Sequence, residues 1–203
     1  MSSKSIITIG RQYGSGGREI GEKLAKQLGI PYYDNELLTV AAKKSGICEE
    51  VFKSNDEKPT NSLLYSLVVG SYANDNLPFN HKLFLAQFDA IRSIADEGPC
   101  VIIGRCADYA LEDYANCVHL FIHADIEKRV ERAVSLYGLP KEKAQESVIK
   151  IDKKRASYYN FYSSQKWGSV DNYDMTLNSG VLGIDNTVEV IKKFVEIKES
   201  LSK

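Results

Sequence analysis

The 203-residue sequence predicts an α/β protein: a parallel five-stranded sheet flanked by helices in three layers. Three observations lead there. The runs Ser5-Ile6-Ile7-Thr8-Ile9, Cys100-Val101-Ile102-Ile103-Gly104 and Cys117-Val118-His119-Leu120-Phe121-Ile122 are almost continuously apolar, which suits strands buried on both faces. Longer stretches with helical periodicity separate them, and strands alternating with helices imply βαβ units. A chain of this length buries roughly 70% of its unfolded surface, enough for one domain without a disulfide or metal staple.

Taken in order, the first strand stops at Gly10 and opens into a glycine loop that leads to a helix over 17–28. Pro31-Tyr32-Tyr33-Asp34 is a short second strand, followed by a helix over 35–45. The stretch 53–80 is polar and turn-rich around an apolar patch from Leu63 to Val69, and reads as a partly helical insertion before a helix over roughly 80–97. The third and fourth strands open at Cys100 and Cys117. Helices over 125–137 and 141–163, a weaker strand from Tyr173 to Leu177 and a helix over 185–201 complete the pattern. There is no internal repeat, low-complexity tract or linker.

Composition excludes several classes. Lys and Arg total 26 against 27 Asp and Glu, for a net charge of −1. Bulk positive charge of the kind that binds a nucleic acid polymer or a membrane surface is absent. Neither a signal core nor an uncharged apolar run of roughly 18 residues is present, so the expectation is a cytoplasmic protein without a membrane span. Cys48, Cys100, Cys106 and Cys117 have neither CxxC spacing nor a nearby histidine pattern, which argues against zinc. His81, His119 and His123 show no catalytic or metal spacing, and His119 reads as a strand residue.

The loop Gly10-Arg11-Gln12-Tyr13-Gly14-Ser15-Gly16-Gly17-Arg18-Glu19 carries four glycines within eight residues. A strand–glycine loop–helix junction aims backbone N–H groups and a helix N-terminus at one point, a natural cradle for phosphate. One or two glycines would satisfy a tight turn; four with flanking arginines point to phosphate. The spacing misses the dinucleotide fingerprint. It also departs from G-x-x-x-x-G-K-[ST], because Arg18 and Glu19 follow the glycines and the nearest hydroxyl for magnesium, Ser15, precedes Gly16 and Gly17.

In open α/β sheets ligands lie beyond the carboxyl ends of the strands. Asp34 and Arg105 both sit there, Asp34 as a ligand residue or a helix N-cap. Asp108, one turn past Arg105, either orients that arginine or faces solvent. On helix 125–137, Arg129 lies at the edge of the apolar stripe and Arg132 farther round, positions equally open to surface charge. On helix 141–163, Arg155 occupies an apolar-face position with Asp152 three residues earlier. Seven Lys or Arg against three Asp or Glu over 141–166 suggest either a solvated basic helix or a movable flap over phosphates.

Together with Leu28-Gly29-Ile30-Pro31-Tyr32-Tyr33-Asp34, Gly104-Arg105-Cys106-Ala107-Asp108, Asp152-Lys153-Lys154-Arg155 and Trp167-Gly168, the loop resembles the cytidylate kinase-like family over nearly the whole chain. The resemblance implies the P-loop kinase fold of nucleoside monophosphate kinases. It divides the chain into a core (1–34, 98–138, 168–203), a monophosphate-binding helical insertion (35–97) and a lid (139–167). It implies ATP and Mg2+, with phosphoryl transfer to a nucleoside monophosphate, CMP or dCMP favoured. Gly10, Arg11, Gly14, Ser15, Gly16, Gly17, Arg18 and Glu19 would hold donor phosphates, with Ser15 on magnesium. Asp34, Arg105, Asp108, Arg129 and Asp152 would bind the acceptor, and Arg18, Arg132 and Arg155 would stabilise the transferred group. Two departures stand out: the phosphate-binding lysine is missing, and the Asp after the Gly-Arg pair is displaced to Asp108. A different nucleotide or a small metabolite as acceptor, and a nucleotide-binding module without turnover, stay open alongside this reading.

Overall fold

The computed structural model describes residues 3–46, 49, 50, 53 and 78–201. Cys48, the patch at 63–69 and most of the expected insertion lie outside the described residues. Five parallel strands, β1 (Ile6–Arg11), β2 (Tyr32–Tyr33), β3 (Val101–Ile103), β4 (Cys117–His123) and β5 (Met175–Asn178), form one sheet in the order β2-β3-β1-β4-β5. The helices are α1 (Gly17–Leu28), α2 (Glu36–Ser45), α3 (Phe79–Glu97), α4 (Ala107–Ala110), α5 (Ile126–Tyr137), α6 (Lys141–Ser163) and α7 (Ser179–Leu201).

Alternation along β1 explains its continuous apolar character. Ile6 packs with Leu37, Leu38, Ile91 and Leu111 under α2 and α3, whereas Ile7 and Ile9 join Ile20, Leu24 and Ile191 under α1 and α7. A strand covered on both faces needs apolar side chains in both directions. Between them Thr8 turns its hydroxyl to the Nδ1 of His119, 2.8 Å away, which satisfies both polar groups inside the sheet and confirms His119 as a strand residue.

A third, aromatic cluster ties α3 to α6. Phe84 stacks on Tyr162 with ring centroids 4.0 Å apart, and Tyr158, Tyr159 and Cys106 pack around them. Three tyrosine hydroxyls of α6 reach across, from Tyr158 to Gln87, from Tyr159 to Asp108 and from Tyr162 to the carbonyl of Asn80. The C-terminal half of α6 is thereby fastened to the body of the protein.

Several boundaries differ from expectation. The last helix starts six residues earlier than expected, at Ser179, and is broken at Gly183, whose φ of 73° interrupts the helical backbone. β5 runs two residues later at its start and β2 is only two residues long. Helix α4 and a 3-10 turn at Val170–Asn172 were not predicted. Among the described residues Cys100, Cys106 and Cys117 are free thiols, and no helix is long and apolar enough to cross a membrane.

Candidate active site

The carboxyl ends of β1, β3 and β4 converge on the glycine loop. Its backbone is pinned from behind: the Gln12 amide donates to Ile122 O, the Ala124 amide to Gln12 Oε1 and the Ser179 hydroxyl to Ser15 O. Gly14 and Gly16 adopt left-handed backbone, φ 81° and 80°, where a side chain is disfavoured. A Cβ on Gly14 would also lie 2.5 Å from the carbonyl oxygen of Arg129. Gly10 and Gly17 serve packing, since a Cβ there would meet Phe121 at 2.8 Å and the Arg11 stem at 2.6 Å. Each glycine therefore has a local reason of its own. The loop nevertheless presents what phosphate needs, because the amides of Gly14, Gly16, Gly17, Arg18 and Glu19 donate to no acceptor among the described residues.

Facing those amides, Asp34 lies between two arginines. Its Oδ1 accepts from Arg105 Nη1 at 3.1 Å, and its Oδ2 accepts from Arg18 Nε. Arg105 is 2% exposed and also reaches Ile103 O at 3.2 Å and Asn35 Oδ1 at 3.3 Å. Gly104, Arg105 and Cys106 all have left-handed φ (69°, 54° and 57°), a run that two non-glycine residues hold only under strain. The Arg105 side chain leaves this run to meet Asp34. Arg18 is more open, at 59% exposed. Burial opposes its charge, but attraction to Asp34 and their hydrogen bond outweigh this and raise its pKa. The Asp34 side chain caps no helix, as the N-cap of α2 is Asn35 and no side-chain cap bond is made there.

A cleft of about 420 Å³ opens between these groups, lined by Arg11, Arg18, Arg105 and Arg155 with Asp34, Asn35, Tyr13 and Tyr137. Arg155 already faces it, with Nη1 3.2 Å from the carbonyl of Arg11 and its guanidinium 5.7 Å from the centre of the Tyr13 ring. On the far side of the loop a second cleft of about 320 Å³ is lined by Ser15, Lys128, Arg132, Ser179, Gly180 and Ile184, among others.

Other expected residues are placed differently. Arg132 belongs to the second cleft and pairs with Glu19. Burial alone would raise the Glu19 carboxyl, yet hydrogen bonds from Arg132 and Lys23 hold it below its usual range. Arg129 is buried at the junction of α5, α6 and the loop, not a surface charge; it pairs with Asp152. Burial lifts the Asp152 carboxyl, opposing the Tyr13 amide and the Arg129 and Arg155 charges that favour the anion. Asp108 neither faces solvent nor lines the cleft; it is buried on α4 under Tyr159, and desolvation pushes it up to about 6. Sequence reasoning missed Asn35, which the strand-end rule would have found, and Tyr13 and Tyr137, whose rings meet at 5.4 Å.

Ser15 does not fit the part of a magnesium ligand. It is 2% exposed and its hydroxyl donates to the Gln12 carbonyl at 2.8 Å. Among the described residues no group of three or more His, Cys, Asp or Glu side chains could hold a metal ion. Magnesium in kinases commonly stays on substrate phosphates and waters.

A profile of the cytidylate kinase-like family matches residues 6–181. A cytidylate kinase of Archaeoglobus fulgidus is 25% identical over 199 residues, 95% of this chain and 96% of that protein. The crystal structure of an uncharacterized protein from Eubacterium ventriosum superimposes with a TM-score of 0.71 at 28% identity, covering 95% of this chain and 98% of the other. Shikimate kinase from Bacteroides thetaiotaomicron gives 0.56 at 15% identity with the same coverages, a likeness of fold.

Proposed function

The chain belongs to the cytidylate kinase-like family, and from that premise we propose that it transfers the γ-phosphoryl group of ATP to a nucleoside monophosphate, with CMP or dCMP the favoured acceptor. The observation that carries this reading is the arginine-lined cleft facing unoccupied loop amides. Arg11, Arg18, Arg105 and Arg155 stand against a single carboxylate, Asp34, among the described residues lining the cleft. An excess of three positive charges suits a donor polyphosphate and an acceptor that is itself anionic.

The state of Asp34 points the same way. A hydroxyl acceptor needs a group to take its proton. Both oxygens of Asp34 already accept from guanidinium groups. A phosphate monoester, with a second pKa of about 6, arrives with its oxygen deprotonated and needs no base. An acceptor phosphate oxygen attacks the γ-phosphorus, the bond to the β–γ bridging oxygen breaks, and ADP leaves. The protein's part is positioning and charge stabilisation. The loop amides and Arg18 hold the donor phosphates, Arg105 with Asp34 seats the acceptor, and Arg155 neutralises the moving group from the lid helix α6. The second cleft, beside Arg132 and Ser179, has room for the donor's base.

The missing loop lysine favours a second reading, binding without turnover. A screen of ADP formation against all nucleoside monophosphates and against neutral polyols separates the two. Turnover with CMP or dCMP supports the proposal, turnover with a polyol alone moves the acceptor to another class, and tight ATP binding without ADP formation selects the binding module.

A further inference from the structure

Asp152 and Arg129 meet each other, and the manner of their meeting gives them a different part from binding an acceptor. Asp152 Oδ1 accepts the amide of Tyr13 at 2.7 Å, and Oδ2 accepts from Arg129 Nη1. Arg129 Nε donates to the Ala124 carbonyl at 2.9 Å, and its Nη1 lies 3.4 Å from the Tyr13 carbonyl. Three elements thus converge on one ion pair: the glycine loop, the first turn of α5 and the middle of α6. Both side chains are withdrawn from water, at 9% and 14% exposed.

A lone carboxylate beside a phosphate cradle would repel phosphate strongly at short range. Joined to a guanidinium it becomes a neutral unit that tolerates an anion next to it. The amide it engages, Tyr13, also directly precedes Gly14, the first of the loop amides that donate to no acceptor among the described residues. We propose that Asp152 and Arg129 are positioning residues, a neutral brace that ties the entry of the glycine loop to α5 and α6 and holds the following amides in phosphate-binding geometry without touching either nucleotide. The benefit to phosphate binding rests on the kinase reading of the loop. The brace itself does not, since its contacts are made between residues of the chain alone.

The test follows amide hydrogen exchange of the segment 10–20 in the nucleotide-free protein, together with equilibrium binding of ATP, in the wild type, Asp152→Ala and Asp152→Asn. Asparagine keeps an oxygen for the Tyr13 amide but loses the charge. Given the strength of a hydrogen bond to a charged group, Asp152→Ala is expected to speed loop exchange and weaken ATP binding by about 10- to 100-fold each. Exchange in β4 changes only as far as the global stability measured by urea unfolding dictates, Asp152→Asn falls between, and the acceptor KM at saturating ATP stays at the wild-type value. Loop exchange equal to wild type in Asp152→Ala overturns the brace, as does a raised acceptor KM with ATP affinity intact, the signature of an acceptor contact. If the wild type fails to bind ATP, the kinase reading falls, while faster exchange in the variant still supports the brace. Should Asp152→Ala not fold, Arg129→Lys, which keeps the charge but loses the fork to Ala124 and Tyr13, is read the same way.

Discussion

Replacing Arg18 by alanine separates a chemical role from a structural one. Its side chain is 59% exposed and it is held by one ion pair to Asp34, whose other oxygen keeps Arg105. A pair whose cation is open to water, and whose buried carboxylate keeps a second guanidinium, contributes about 0–1 kcal/mol. A positive charge in the first turn of α1 also opposes the helix dipole, which offsets part of even that. The thermal midpoint should therefore move by no more than about 2–4 °C. In the proposed reaction, Arg18 would give a charge-assisted hydrogen bond worth about 1.5–3 kcal/mol, so kcat should fall roughly 10- to 100-fold. Arg18→Lys should recover only part of this, because an ammonium lacks the planar fork. The assay is initial-rate ADP formation at saturating ATP and acceptor, normalised to folded protein from a thermal melt. An unchanged kcat would refute the assignment and move suspicion to Arg11, which lines the same cleft.

Arg105→Met should behave oppositely to Arg18→Ala. The guanidinium is 2% exposed, so its loss removes the fully desolvated ion pair to Asp34 together with the bonds to Ile103 O and Asn35 Oδ1, and about 3–5 kcal/mol of stability should vanish in urea unfolding; a loss under about 1 kcal/mol would contradict the buried pairing. Asp108 carries a pH prediction. Desolvation raises it to about 6 in the folded protein, so its contribution is full below the unfolded value of about 3.9 and is lost as pH rises through about 6. Asp108→Asn should accordingly stabilise the protein by on the order of 2–3 kcal/mol at pH 8 and by nearly nothing at pH 4, a difference that thermal melts at the two pH values would show; equal effects at both would refute it.

Strand–loop–helix alternation and the glycine loop were readable because each follows from local composition. β1 and β4 need apolar residues on both faces, and the left-handed positions at Gly14 and Gly16 exclude side chains. Asp34 and Arg105 were reachable through the strand-end rule. What escaped depends on partners far along the chain. Arg129 looks like stripe-edge charge until Asp152, 23 residues later, comes against it. Asp108 is buried against Tyr159, 51 residues later, behind a left-handed turn at Arg105 and Cys106 that neither residue type advertises. The early start of α7 was hidden by Gly183, where the helical pattern is interrupted.

Phosphorus NMR of the products formed from ATP and CMP tests the central claim most directly. Transfer to the acceptor's own phosphate creates an anhydride, so two mutually coupled phosphorus signals of a cytidine diphosphate should grow in step with ADP. Inorganic phosphate alone, or a new phosphate ester on a hydroxyl with no coupling partner, would contradict phosphoryl transfer to a nucleoside monophosphate.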